Sequence, residues 1–123
     1  MTLIGYVAIL PRMKNTDTHN YQLAELKADV LKAISHPTRL MIVEMLAAGE
    51  KCVCELNEAF DADHSTISKH LSVLRKAGVV SDRKEGLKVF YKLEVSCIVN
   101  FINCITSVIE TRAQKDLSAL KGK

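Results

Sequence analysis

The stretch from Asp61 to Gly78, "DADHSTISKHLSVLRKAG", decides the fold. Its first four residues have the composition of a turn, and a helix can begin at His64 or the residue after it. Three apolar residues recur at helical spacing and mark the buried stripe of that helix: Ile67, Leu71 and Leu74. Gly78 ends the helix. Hydroxyl and basic side chains gather near its start, which is the pattern of the second helix of a helix-turn-helix.

The chain before this stretch predicts three more helices. Apolar residues at helical spacing indicate an amphipathic helix over about residues 21–34. Pro37 suits a first helical position, so a second helix is expected from Pro37 to Ala48, where Gly49 follows. A short third helix is expected over Lys51–Phe60 and supplies the first half of the helix-turn-helix.

The chain after this stretch predicts a wing and a long helix. Two strand-like runs, Val79–Arg83 and Leu87–Leu93, flank a turn at Glu85–Gly86. A helix with a wide apolar face follows from about residue 98. This order predicts a mainly α winged helix-turn-helix with a β-hairpin wing, formed by residues 21–118. We expect residues 1–20 to be a poorly ordered N-terminal extension and residues 119–123 to be a C-terminal tail.

Amino-acid composition limits the classes of protein to which this chain can belong. The 123 residues are 48% apolar and 25% charged, as expected for one folded domain. The apolar opening, residues 1–10, is too short to span a bilayer, and Arg12 follows it instead of preceding it as in a signal peptide. We therefore expect a cytoplasmic protein that does not contact membranes and has no disulfide framework. Whether residues 1–12 belong to the native protein stays open.

Basic residues concentrate in the helix-turn-helix and the wing. Residues 61–92 contain seven Lys and Arg and four Asp and Glu, so this segment carries the whole net charge of +3. The segment therefore predicts binding to double-stranded DNA. The expected contacts are His64, Ser65, Thr66, Ser68, Lys69 and His70 on the helix, and Arg83, Lys84 and Lys88 on the wing. The alternatives are a solvated charged face and a winged helix that binds another protein.

Three stretches resemble the ArsR/SmtB family of winged-helix, metal-sensing repressors. They are "LKAISHPTRLMIVEML" (31–46), "KCVCELNEAFDADHSTISKHLSVLRKAGVV" (51–80) and "DRKEGLKVFYKL" (82–93). The resemblance implies a homodimer built through the first and last helices. It also implies a repressor, not an enzyme, that binds an inverted-repeat operator and leaves the DNA when an inducer binds.

The "CVCEL" box, with Cys52 and Cys54, resembles the thiolate box of arsenic-, cadmium- and lead-responsive members. Residues i and i+2 of a helix lie about 200° apart, so the two thiols can share a ligand only if the helix begins late or unwinds. Asn57 occupies the position of the third cysteine of the arsenic-responsive box. Cys97 and Cys104 are the candidates for a third thiolate. The two could also form a separate two-thiol site at the dimer interface, or each could be a small apolar residue packed in the core.

The resemblance implies arsenite or antimonite as the inducer, held by Cys52 and Cys54 with or without a third thiolate, although a three-thiolate site is what these elements prefer in the family. Cadmium and lead are the alternatives. Thiolates in general select such soft acceptors. A zinc site on the last helix is disfavoured because no histidine follows His70. The same DNA-binding fold could also serve as a thiol redox or reactive-sulfur switch. A thiol enzyme or metal carrier is disfavoured because the box lacks the CxxC spacing of dithiol oxidoreductases.

Overall fold

The computed structural model describes residues 15–121, with side chains described from Asp17 onward. Five helices and three strands follow one another along this part of the chain. They are α1 (Asn15–Ile34), α2 (Pro37–Ala47), β1 (Lys51–Cys52), α3 (Val53–Ala59), α4 (His64–Lys76), β2 (Val80–Glu85), β3 (Lys88–Leu93) and α5 (Ile98–Lys121). The predicted mainly helical winged helix-turn-helix is confirmed, with α3 and α4 as its two helices and β2–β3 as its wing.

The first and last helices extend beyond their predicted ends. Helix α1 begins at Asn15, inside the segment expected to be a poorly ordered extension, and α5 continues to Lys121, inside the expected tail. Neither proline nor glycine interrupts residues 15–34, and Asp17 in the first turn interacts favourably with the helix dipole. The remainder of the predicted extension, residues 1–14, and residues 122–123 lie outside the described part of the chain.

The wing is part of a three-stranded antiparallel sheet in the order β1-β3-β2. Strand β1 pairs Lys51 with Tyr91 and Cys52 with Phe90. The sequence did not predict β1, because two residues are too few to show the alternation that marks a strand. Its presence also moves the start of the third helix from the predicted Lys51 to Val53.

The hairpin is longer on its first strand than the sequence predicted. Strand β2 continues through two charged residues to Glu85, which lies opposite Lys88. The loop is therefore Gly86–Leu87, and Gly86 has φ of 63°, in the left-handed region that favours glycine. The last four residues of β2 are exposed, so no apolar alternation marks where the strand ends.

The core lies where the helix-turn-helix packs on α2 and the sheet. Seven side chains have no measurable exposure: Ile42, Val43, Leu56, Ile67, Leu71, Leu74 and Val79. Burial of such a side chain contributes about 1.5–3 kcal/mol relative to leaving it in water. These residues hold α3 and α4 in a fixed relation, because each helix supplies at least one of them. Among residues 15–121, no helix has both the length and the apolar character required to cross a membrane.

Candidate thiol site and nucleic-acid interface

Cys52 and Cys54 lie at the start of α3, on either side of its first residue. Cys52 is the N-cap and has extended backbone angles (φ −71°, ψ 148°), so the helical separation of 200° does not apply to the pair. The Cα atoms are 5.2 Å apart, and the two sulfur atoms are joined in a disulfide. The backbone N–H of Cys54 also donates to Sγ of Cys52, at 3.1 Å. The helix thus begins late enough for both sulfurs to reach one ligand.

The two cysteines differ in exposure. Cys52 is 3% exposed and is fixed by the pairing of β1 with β3. Cys54 is exposed and lies in the first turn of α3. Of the two sulfurs, that of Cys54 is therefore the one that a reductant meets from solvent, and reduction of the disulfide frees both thiols to act as ligands. Because Cys52 ends β1 and Cys54 lies in the first turn of α3, a movement of the two cysteines also displaces these two segments.

A cleft of about 420 Å³ opens beside the thiol pair. Its wall is formed by α3, the start of α4 and the wing, through Cys52, Val53, Cys54, Asn57, His64, Ser68, Leu87, Lys88, Val89 and Tyr91. Across it, Nδ2 of Asn57 lies 2.6 Å from Nδ1 of His64. This hydrogen bond joins the thiol-bearing helix to the first residue of α4. The sequence does not predict this hydrogen bond, because Asn57 and His64 belong to different helices whose packing no local pattern shows.

Cys97 and Cys104 are free thiols, and both are exposed. Cys97 lies in the turn before α5, and Cys104 lies on α5 itself. Their exposure does not agree with the interpretation of either residue as a small apolar side chain packed in the core. Within residues 17–121, no three His, Cys, Asp or Glu side chains are grouped so as to hold a metal ion as they stand.

The first two turns of α4 present most of the predicted DNA contacts to solvent. The exposed residues are His64, Ser65, Thr66, Ser68 and Lys69. The opposite face of the helix carries its three buried residues. Hydroxyl, imidazole and ammonium groups at the N-terminal part of such a helix can contact base edges and phosphates in a major groove. The exposed face of α4 therefore has the hydrogen-bond donors that the predicted DNA binding requires.

His70 has a different environment from the other predicted contacts. Its ring packs against the ring of His36, with centroids 4.5 Å apart, and its Nδ1 lies 3.3 Å from Nη1 of Arg39. Burial, with smaller effects of His36 and Arg39, lowers the pKa of His70. His36 is the N-cap of α2 and accepts from the N–H of Thr38, as expected of a helix-start residue. The ring of His70 thus links α4 to α2, and its contact with DNA stays a prediction.

The wing contributes three exposed cations, Arg83, Lys84 and Lys88, of which Arg83 is engaged within the protein. Its Nε donates to Glu50 and its Nη1 donates to Glu85, both at 2.6 Å. These hydrogen bonds raise the pKa of Arg83. The guanidinium also lies over the ring of Phe90, 4.6 Å from its centroid. Arg83 is therefore tied to Glu50, two residues before the thiol pair.

Comparison with known proteins identifies the family. The model for bacterial regulatory proteins of the arsR family matches residues 36–82, which include α2, the thiol pair and α4. The biofilm growth-associated repressor of Xylella fastidiosa (strain Temecula1) is 32% identical over 106 residues, covering 86% of this chain and 91% of that protein. The chain belongs to the ArsR family.

Two further proteins are similar to this ArsR-family chain, a curated repressor and a solved structure. The arsenical resistance operon repressor of Staphylococcus xylosus is 36% identical over 85 residues, covering 69% of this chain and 81% of that protein. The structure of HlyU from Vibrio cholerae N16961 has a TM-score of 0.62 at 34% identity, covering 67% of this chain and 92% of that one. The ArsR-family protein is thus a winged-helix DNA-binding transcriptional repressor and not an enzyme.

Proposed function

We propose that this repressor is released from its operator when arsenite or antimonite binds Cys52 and Cys54. The observation that carries the proposal is the adjacency of the two sulfur atoms at the start of α3. Each thiol of the reduced pair replaces one hydroxyl group of trivalent arsenic, and each replacement releases one water molecule. Cys97 or Cys104, from the same chain or its partner, supplies the third thiolate. The arsenical repressor among the relatives supports this ligand class.

The structure offers a short path from the thiols to the DNA-reading helix. Binding of arsenic pulls the two sulfurs into a geometry different from the one they have now and moves the first turn of α3. Asn57 is one turn further along α3 and is bonded to His64 at the start of α4. A change in α3 therefore reaches α4 through this hydrogen bond and through buried Leu56. Displacement of α4 removes its contacts from the major groove.

We propose a homodimer as the operator-binding form. Large apolar side chains are exposed on α1 and α5, among them Leu23, Leu26, Leu31, Phe101, Ile105, Val108 and Ile109. A cleft of about 390 Å³ between α1, α2 and α5 is lined mostly by apolar side chains, among them the exposed Leu31, Phe101 and Ile105. A two-fold dimer through α1 and α5 covers these faces and presents two α4 helices to an inverted repeat of double-stranded DNA.

We also propose a cytoplasmic location, because a protein that binds an operator must be in the same compartment as the chromosome.

A thiol redox switch is the second candidate, and the disulfide between Cys52 and Cys54 favours it. In this alternative, the two thiols lose two protons and two electrons to an oxidant such as hydrogen peroxide, which becomes two molecules of water. The exposed Cys54 can meet the oxidant first. Cadmium and lead are further candidate inducers at the same thiolates.

Operator release tests the proposal. Fluorescence anisotropy of labelled DNA from upstream of the protein's own operon is measured with reduced protein under anaerobic conditions, while arsenite is added. We expect arsenite to release the wild type but neither Cys52→Ser nor Cys54→Ser, because each variant lacks one of the paired thiolates. Peroxide in place of arsenite tests the redox alternative. An operator affinity that does not change when arsenite, antimonite, cadmium or lead is added would contradict metalloid sensing.

Cys97→Ser and Cys104→Ser identify the third ligand, because each removes one exposed thiol outside the box. The variant that lacks the third thiolate is expected to need more arsenite for release, and the other is expected to respond like the wild type.

A further inference from the structure

Two imidazole rings meet where α4 packs on α2. His36 is the N-cap of α2, His70 lies on α4, and the centroids of their rings are 4.5 Å apart. Both residues are partly buried. We infer that the two rings form a joint that positions the DNA-reading helix only while both are neutral, so that acidification weakens operator binding. The inference concerns DNA binding itself and does not depend on what the thiol pair binds.

The hydrogen bond at each ring requires the neutral form. Nδ1 of His36 accepts from the backbone N–H of Thr38, at 3.1 Å, and Nδ1 of His70 lies 3.3 Å from Nη1 of Arg39. A backbone N–H and a guanidinium can only donate, so each Nδ1 keeps its lone pair and the ring proton is on Nε2. A proton on Nδ1 turns the acceptor into a donor that faces another donor. Protonation therefore removes the cap of α2 at His36 and the contact with Arg39 at His70.

The environment of the His70 ring disfavours a positive charge. Burial lowers its pKa, and His36 and Arg39 on α2 lower it further. The other described elements that pack against α4 are α1, α3 and β2, and no charged group of theirs acts measurably on this ring. Among residues 17–121, no carboxylate pairs with Arg39 or with either imidazole, and Nε of Arg39 is buried without an acceptor. A proton gained at His70 is therefore not offset by an ion pair.

The joint lies next to the DNA-reading surface of α4. Thr66 is one turn before His70 on the same face of the helix, and Lys69 directly precedes His70; both Thr66 and Lys69 are exposed. The buried stripe holds α4 to the core, and the joint adds a second point of attachment that fixes how the helix is turned about that stripe. Two protonated rings at this distance repel each other and Arg39. The helix then shifts, and its donors move out of position for the major groove.

The pH dependence of operator affinity tests the joint. Anisotropy of labelled operator DNA is measured with reduced full-length protein from about pH 7.5 to about pH 5.5, the range in which histidine titrates. Ionic strength is constant, arsenite is absent, and circular dichroism shows at which pH values the protein is folded. Each proton taken up on release weakens the affinity by up to about tenfold per pH unit. We therefore expect the wild type to lose about 10–100-fold in operator affinity across this range.

Variants that accept a hydrogen bond but do not titrate isolate the two rings. His36→Asn and His70→Gln each keep an oxygen for the donor that faces it. We expect each variant to remove part of the pH dependence and the double variant to remove most of it. His19→Gln, at an exposed position on α1, is the matched control and should keep the wild-type profile. His64 stays in every variant, because a proton on this exposed residue of α4 would strengthen phosphate binding, the opposite sign.

A second readout examines the rings in the wild type without relying on the folding of variants. Ring-nitrogen chemical shifts at about pH 7.5, where histidine is ordinarily neutral, should show both His36 and His70 with the proton on Nε2. A proton on Nδ1 of either ring at that pH would overturn the inference. An operator affinity that stays constant across the pH range, or a full wild-type profile in either single variant or in the double variant, would overturn it as well.

Discussion

Leu56 holds the thiol-bearing helix to the rest of the protein, and its truncation is the most quantitative test of that packing. The side chain is fully buried and belongs to the core cluster of the helix-turn-helix. Replacement by alanine removes apolar burial and leaves a cavity, which costs about 2–5 kcal/mol in comparable cores. A cost of about 3 kcal/mol lowers the folding equilibrium constant by about 100-fold. This is a large part of the roughly 5–15 kcal/mol by which a domain is stable.

Urea denaturation of reduced protein, followed by circular dichroism, measures this cost. The protomer concentration is kept fixed, because the stability of a dimer depends on it. Leu87→Ala is the matched control, since Leu87 lies in the hairpin loop and is fully exposed. We expect Leu87→Ala to change the free energy of unfolding by less than about 0.5 kcal/mol. A cost below about 1 kcal/mol for Leu56→Ala would refute the packing of α3 described above.

Three further predictions concern the wing and the junction of α2 with α4. Glu50→Gln removes one carboxylate from Arg83, and we expect tighter operator binding, measured by anisotropy. The salt slope should steepen by up to about 0.9 for each protomer, or about 1.8 for the dimer. An unchanged slope would contradict this. Gly86→Ala forces a Cβ into φ of 63° and should cost about 1–2 kcal/mol in urea denaturation. Because the folded-state pKa of His70 is lowered, stability should fall as pH drops below about 6.5, and His70→Gln should reduce this loss in a pH series of denaturation curves.

The order of the helices was predictable because the residues that mark each helix lie within it or directly beside it in the sequence. Ile67, Leu71 and Leu74 mark the buried stripe of α4, and all three are fully buried in the structure. Pro37 marked the start of α2, which begins at that residue. Gly86 marked the hairpin turn and is its first loop residue. Periodicity, proline and glycine act within a few residues of chain, so the sequence displays them directly.

The details of the site were less predictable, because they depend on contacts between distant parts of the chain. The strand β1 exists only because Lys51 and Cys52 pair with β3, and this pairing makes Cys52 a helix cap. His70 faces His36, which is 34 residues earlier in the sequence. No pattern in a single sequence encodes such pairings. Helix geometry, by contrast, requires a late helix start if the two sulfurs are to be adjacent, and the helix does begin after Cys52.

The proposed function depends on binding of a trivalent metalloid by the reduced Cys52–Cys54 pair. The most direct test is an anaerobic titration of fully reduced protein with arsenite, followed by the absorption of the arsenic–thiolate bond. We expect the wild type to saturate at one arsenic per protomer, Cys52→Ser to lose the signal, and either Cys97→Ser or Cys104→Ser to weaken it. Absence of the signal in the reduced wild type, or its persistence in Cys52→Ser, would contradict metalloid binding by the cysteine pair.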